Sequence, residues 1–112
     1  MTGITQLDPA ALHDAPLLQE GEAMSRTSEL AKFADGLTAG VWSADAFVEH
    51  LPSYPVDEVC VLIEGSVTLR TPDGAAATFG PGEAFAIARG TECTWEQTGP
   101  VRKFYVIRES ED

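Results

Sequence analysis

Two short runs decide the fold: Glu58-Val59-Cys60-Val61-Leu62-Ile63-Glu64-Gly65 and Gly82-Glu83-Ala84-Phe85-Ala86-Ile87-Ala88-Arg89-Gly90. Each is a strand-length apolar stretch closed by glycine, and the Pro72-Asp73-Gly74 turn between them is a strong hairpin signal. The apolar strand spans Val56 to Ile63 with Glu58 inside it, and period-two alternation puts Glu58, Cys60 and Leu62 on one face. A carboxylate aimed the same way as a thiol and a leucine is the first functional clue.

Working outward, strands are expected at Leu37–Ser43, Phe47–Leu51, Ser66–Thr71, Ala75–Phe79, Glu83–Ala88, Thr91–Gln97 and Val101–Arg108. Turns at Ala44–Ala46, Gly80-Pro81-Gly82 and Gly99-Pro100 separate them, with a proline-bounded loop at Pro52–Pro55. Upstream, shorter strands are expected at Ala23–Ser28 and Glu29–Phe33, the second ending at Asp35-Gly36. Residues 1–22 read as an irregular arm, with a weak helical signal at Pro9–His13. Many short strands punctuated by Gly and Pro predict an all-β sandwich or barrel, one domain over residues 23–112.

A length of 112 residues supports a single core, so a site must lie inside that barrel or between subunits. Eighteen acidic against seven basic residues give a net charge of -11, which argues against nucleic acid and anionic membrane surfaces as partners. No apolar run approaches the roughly 20 residues of a membrane span, and Met1–Gln6 lacks the pattern of a secretory signal, so a cytoplasmic protein is expected. Cys60 and Cys93 form no CxxC pair and are expected as reduced thiols.

Several elements in order carry a resemblance. These are Gly40-Val41-Trp42, Tyr54-Pro55-Val56-Asp57-Glu58, Glu64-Gly65-Ser66-Val67-Thr68-Leu69, Asp73-Gly74, Gly80-Pro81-Gly82-Glu83-Ala84-Phe85, Thr94-Trp95-Glu96 and Val101-Arg102-Lys103. Over residues 38–108 the chain resembles the small single-domain cupins of the ureidoglycine aminohydrolase-like group. The resemblance implies an RmlC-like jelly-roll barrel (a double-stranded β-helix) and a homodimer whose N-terminal strands reach the neighbouring subunit. Metal-binding cupins place two His before the first-motif Glu and a third after the second motif. Here Glu58 retains the carboxylate; Leu51 or Pro52 and Tyr54 or Ser53 fall at the first two His positions, and Cys93 at the third. Ala88 replaces the usual Pro, Gln97 the Asn that can follow, and Glu83 the Asp after Gly82. The aminohydrolase's own Glu, His, His and Gln ligands map onto Pro52, Tyr54, Glu58 and Cys93.

The residues support a small-molecule-binding cupin of uncertain activity, with a pocket centred on Glu58 that lacks the His triad and takes a small polar metabolite. Glu58, Tyr54 and Lys103 are the acid/base candidates, since a buried carboxylate is a general acid or base candidate. Trp42, Tyr54, Cys93, Trp95 and Tyr105 are the ligand-lining candidates. Whether Lys103 or Arg102 points inward is open, as is structural pairing of Glu58 with either. No cofactor is expected; a divalent metal (Mn, Zn, Fe or Ni) would need Glu58, Cys93 and His50. Two other readings stand beside this one: a metal-dependent enzyme like the aminohydrolase, and a non-enzymatic dimeric binding or regulatory module.

Overall fold

Alternation of apolar and polar residues builds the strands. The computed structural model describes residues 3–109. It contains β1 (Leu18–Glu20), β2 (Ala23–Lys32), β3 (Leu37–Ala44), β4 (Phe47–Leu51), β5 (Asp57–Glu64), β6 (Val67–Arg70), β7 (Ala76–Phe79), β8 (Ala84–Ile87), β9 (Cys93–Gln97) and β10 (Val101–Arg108). Residues 1–2 and 110–112, which the sequence reading assigned to the arm and to the end of the domain, lie outside the described residues.

The strands form two antiparallel sheets, ordered β1-β2-β3-β10-β5-β8 and β4-β9-β6-β7. Their inner faces meet in a core of Tyr54, Cys60, Leu62, Val67, Ile87, Cys93, Trp95 and Val101, with Trp42, Phe47, Phe79 and Phe85 packed against it. Edge-on and stacked rings fill much of the space: Trp95 lies 6.0 Å from Trp42, 6.4 Å from Phe47 and 5.7 Å from Phe85, centroid to centroid. The result is the all-β jelly roll expected of an RmlC-like cupin.

Two departures from the expected elements have local causes. A three-residue strand, β1, lies within the stretch read as an irregular arm; Gly21, at φ 57°, lets the chain double back so that Glu20 pairs with Ala23. The two short strands expected at Ala23–Phe33 are one ten-residue strand, because a register shift between Glu29 and Ala31 absorbs the irregularity without ending the pairing with β3.

The remainder of the arm lies against the outer face of the six-stranded sheet. Residues 8–15 form successive turns, not a helix, with Ala11, His13 and Ala15 amides donating three residues back. Two outward-facing arginines hold these turns by their main chain: Arg26 donates to the Ala15 carbonyl and Arg102 to that of Pro9 at 2.6 Å. Leu12 is buried there, and so is Val41, which alternation places on the same outer face. No helix among the described residues is long and apolar enough to cross a membrane.

Candidate functional site

β5 delivers Glu58, Cys60 and Leu62 to the interior while Asp57, Val59 and Val61 face out. β10 alternates likewise, and its inward residues are Val101, Lys103 and Tyr105. Lys103 stands opposite Trp42 on β3 and Leu62 on β5. Its side chain runs along the barrel past Cys60, with Nζ 3.5 Å from the Cys60 sulfur, to reach Glu58 Oε2 at 2.8 Å. The other carboxylate oxygen accepts a 2.6 Å hydrogen bond from the Tyr54 hydroxyl. The ammonium also lies 4.5 Å from the Trp42 ring centre and 4.6 Å from that of Trp95, a double cation–π contact. Lys103 and Glu58 are only 4% and 6% exposed, so this is a desolvated cluster.

Its protonation states follow from that desolvation. Burial works to raise the Glu58 pKa, but the Lys103 charge and hydrogen bonds from Lys103, Tyr54 and Cys60 outweigh it and hold the carboxyl below its usual range. Burial works to lower the Lys103 pKa, and its buried partners raise it instead. Burial, aided by the Glu58 charge, pushes the Tyr54 hydroxyl upward and the Cys60 thiol to about 12 despite Lys103. Cys60 is therefore a neutral thiol at neutral pH, and Glu58 supplies the charge that keeps Lys103 protonated. All four groups hold one protonation state across the neutral range.

Tyr54 enters on the loop between β4 and β5. Its amide donates to the Thr91 carbonyl and its carbonyl accepts from the Gly90 amide, so the loop is stitched to the β8–β9 connection and the ring closes over Glu58. Cys93, at the start of β9 beside that stitch, is buried, and burial raises its pKa. Tyr105 stands one inward step from Lys103, opposite Gly40; a Cβ on Gly40 would come within 2.1 Å of the Ser28 carbonyl oxygen and 2.7 Å of the Tyr105 oxygen, so the glycine makes room for both. Burial and the Glu29 and Glu58 carboxylates push that hydroxyl to about 12.

Glu58, Tyr54, Lys103, Trp42 and Trp95 are thus brought together, with Cys93 and Tyr105 at the margins. His50 is not. It pairs with Thr94 across β4 and β9, on the face opposite Cys93 and Trp95, and its imidazole meets Glu92 at 3.0 Å with both side chains about half exposed. The conditional metal set of Glu58, Cys93 and His50 is therefore not assembled, because adjacent positions of a strand face opposite ways. Among the described residues no three His, Cys, Asp or Glu side chains gather to hold a metal. The chemistry disagrees as well: the Lys103 ammonium already meets Glu58 and would repel a dication brought to the same carboxylate. The residues present do not fit a cupin metal centre.

Two contributors escaped the sequence reading as site residues. Cys60 accepts from Lys103, and the signal was its alternation with Glu58. Gln97 accepts from the Trp95 indole at 2.9 Å and turns its amide to the carbonyls of Ala44, Asp45 and Gly99, at 3.1, 2.9 and 3.3 Å. It ties the β3–β4 and β9–β10 turns together and fixes the indole beside Lys103.

Comparison with known proteins places this geometry. Residues 31–105 match the model of the EutQ-like cupin domain. No curated protein sequence matches significantly. Among solved structures, the fold is similar to the EutQ protein of Clostridium difficile, at 18% identity and a TM-score of 0.66, covering 80% of this chain and 71% of that one. It is also similar to a protein of unknown function of the DUF861 family from Pseudomonas syringae, at 27% identity and a TM-score of 0.72, covering 95% of this chain. This chain spans 45% of that protein's length. The polyketide cyclase RemF of Streptomyces resistomycificus shares the fold at 22% identity and a TM-score of 0.66, with 86% of this chain and 75% of that one aligned. The match over residues 31–105, with the jelly-roll sheets beneath it, shows that the chain belongs to the EutQ-like cupin domain family.

Proposed function

We propose that the chain is a metal-free, small-molecule-binding cupin whose barrel takes a small polar ligand between Glu58 and Lys103. The carrying observation is the desolvated pair itself. A buried ion pair is a poor stabilising device, because desolvation offsets most of its attraction. A pair kept in a barrel otherwise filled with rings is a candidate for recognition. Glu58 accepts and Lys103 donates, which suits a ligand presenting both an N–H and a carbonyl, such as an amide, with the Trp42 and Trp95 faces on either side. A ligand reaches the pair by displacing the Tyr54 ring, which two main-chain hydrogen bonds of its loop hold over Glu58.

Binding is favoured over turnover by the locked protonation states. General acid–base catalysis works best with a group titrating near the working pH, and Glu58, Tyr54 and Lys103 are all shifted away from it. A homodimer belongs to the same proposal, supported by the exposed Val59, Val61 and Val106 on the outer sheet face; analytical ultracentrifugation tests it. The free thiols Cys60 and Cys93 are in keeping with a cytoplasmic setting.

The interior is tested by NMR, with acetamide and acetate as probes at about 10 mM, a weak-binding range. The expected result is displacement of the Trp42 and Trp95 indole signals by acetamide more than by acetate, lost in Lys103→Met. Absence of any shift overturns the reading. It would favour the non-enzymatic module, which the filled interior also supports, since Glu58, Lys103, Tyr54, Cys60 and the Trp95 indole each have a hydrogen-bond partner within the chain.

A further inference from the structure

A second site lies on the outer face, at the end of the barrel where three turns meet. In register across four strands stand Arg26 on β2, Ser43 on β3, Arg102 on β10 and Glu64 on β5. Glu64 reaches this face through a register shift: β5 pairs Glu64 with Arg102 and Leu62 with Lys103, so Ile63 is the extra residue. Without that bulge Glu64 would be in phase with Leu62 and point inward. Together with Asp45, Pro100 and the exposed Leu17 and Met24, these residues line a groove of about 280 Å³.

Four charges line this groove and none is neutralised by another. Among the described residues neither Glu64 nor Asp45 forms an ion pair with Arg26 or Arg102, although Glu64 is the direct cross-strand neighbour of Arg102. Each arginine commits one nitrogen to an arm carbonyl. Among the described residues Arg102 Nε is buried with no acceptor, which a native structure normally avoids. The walls are fixed in advance: Gln97 ties Ala44, Asp45 and Gly99 together. Gly65 lies so close to the Pro100 carbonyl that a Cβ would come within 2.2 Å of its oxygen.

We infer that this groove binds a zwitterionic metabolite of amino-acid size with an apolar side chain. Its carboxylate is received by the guanidinium N–H groups of Arg102 and Arg26 that the arm carbonyls leave free, over Ser43. Its ammonium meets Glu64, one strand away at roughly 5 Å, and its side chain lies on Leu17 and Met24. A simple anion fits less well, since the lining carries as many carboxylates as guanidiniums and the whole chain carries -11. The volume of about 280 Å³ falls just below the range of ligand pockets, roughly 300–1,000 Å³, which suits a ligand of amino-acid size.

Calorimetric titration with L-leucine tests this, with 4-methylpentanoate (no ammonium) and 3-methylbutylamine (no carboxylate) as half-ligands. Leucine is expected to bind about tenfold or more tightly than either half. Arg102→Gln should weaken leucine about tenfold; because it also frees the Pro9 carbonyl, Glu64→Gln, an exposed and unbonded position, is the second variant. Glu64→Gln should weaken leucine about fivefold and leave 4-methylpentanoate unchanged. NMR shifts should appear at the Arg26, Ser43, Glu64 and Arg102 amides and spare the tryptophan indoles. Any of four results overturns the inference: no leucine binding at about 10 mM, 4-methylpentanoate binding as well as leucine, leucine binding untouched by Glu64→Gln, or shifts at the indoles alone.

Discussion

Two side-chain contacts of nearly equal length, each between a nitrogen and a carboxylate, lie on opposite sides of the barrel wall. Lys103 meets Glu58 at 2.8 Å with both side chains about 5% exposed; His50 meets Glu92 at 3.0 Å with both about half exposed. Geometry alone would rank them together. Solvent separates them, because attraction, desolvation and the penalty for losing one partner all grow as water is excluded. The inner pair therefore costs much to break and contributes little net stability, whereas the outer pair does little of either.

The largest effect belongs to Lys103→Met. It leaves Glu58 charged and buried against apolar neighbours, and should destabilise the protein by about 3–5 kcal/mol in chemical denaturation. The double variant Glu58→Leu with Lys103→Met should recover most of that loss, since the interior then carries no charge. If the double variant is as unstable as the single one, the pair is holding the fold together and the case for a recognition role collapses.

Tyr54→Phe cuts more gently. It removes one charge-assisted hydrogen bond to Glu58 and leaves the ring in place, for an expected loss of about 1.5–3 kcal/mol. The same deletion should bring the Glu58 pKa back toward the ordinary carboxylate value. A change below a few tenths of a kcal/mol would mean that Tyr54 and Glu58 are not bonded in solution.

Titration weakens the inner pair without mutation. Glu58 has a folded pKa below its unfolded value, so its contribution is complete above about 4.3 and fades as pH falls through the folded pKa. Lys103 is shifted upward, so its contribution is complete below about 10.4 and fades as pH rises through the folded pKa. Stability should be level through the neutral range. The stability gap between the protein and Glu58→Gln should narrow in acid, and a gap that stays constant down to about pH 2 would contradict the assigned shift.

How much of this was visible in the sequence depends on how local the signal was. Turns at Pro72-Asp73-Gly74 and Gly80-Pro81-Gly82 punctuate the strands, so the element order and an all-β sandwich or barrel were legible, while the jelly roll itself came with the resemblance to cupins. Alternation around Glu58 also placed it correctly among Cys60 and Leu62. Lys103 was not decidable, because both faces of β10 carry a cation among apolar residues: Arg102 with Phe104 and Val106, Lys103 with Tyr105. Only pairing with Trp42 and Leu62 selects the inner one. The bulge at Ile63 has no glycine to announce it, so the turning of Glu64 toward Arg102 was equally hidden. His50 failed for a simpler reason: one position along a strand is the wrong side of the sheet.

The smallest effect should come from His50→Ala. The outer contact joins β4 to Glu92, just ahead of β9, with both side chains about half exposed, and exposed contacts of this kind contribute about 0–1 kcal/mol. His50 lies opposite Thr94 on the solvent face, while Glu58 and Cys93 lie inside, so the substitution should also leave the Trp42 and Trp95 signals unmoved. The variant is therefore a control on the whole comparison, since it removes the imidazole a metal-dependent reading would need without entering the barrel. A loss of more than about 2 kcal/mol, or a tryptophan response, would mean that His50 reaches the interior in solution. The distinction between the two faces would then fail at its weakest point, and the metal set with Glu58 and Cys93 would need to be reopened.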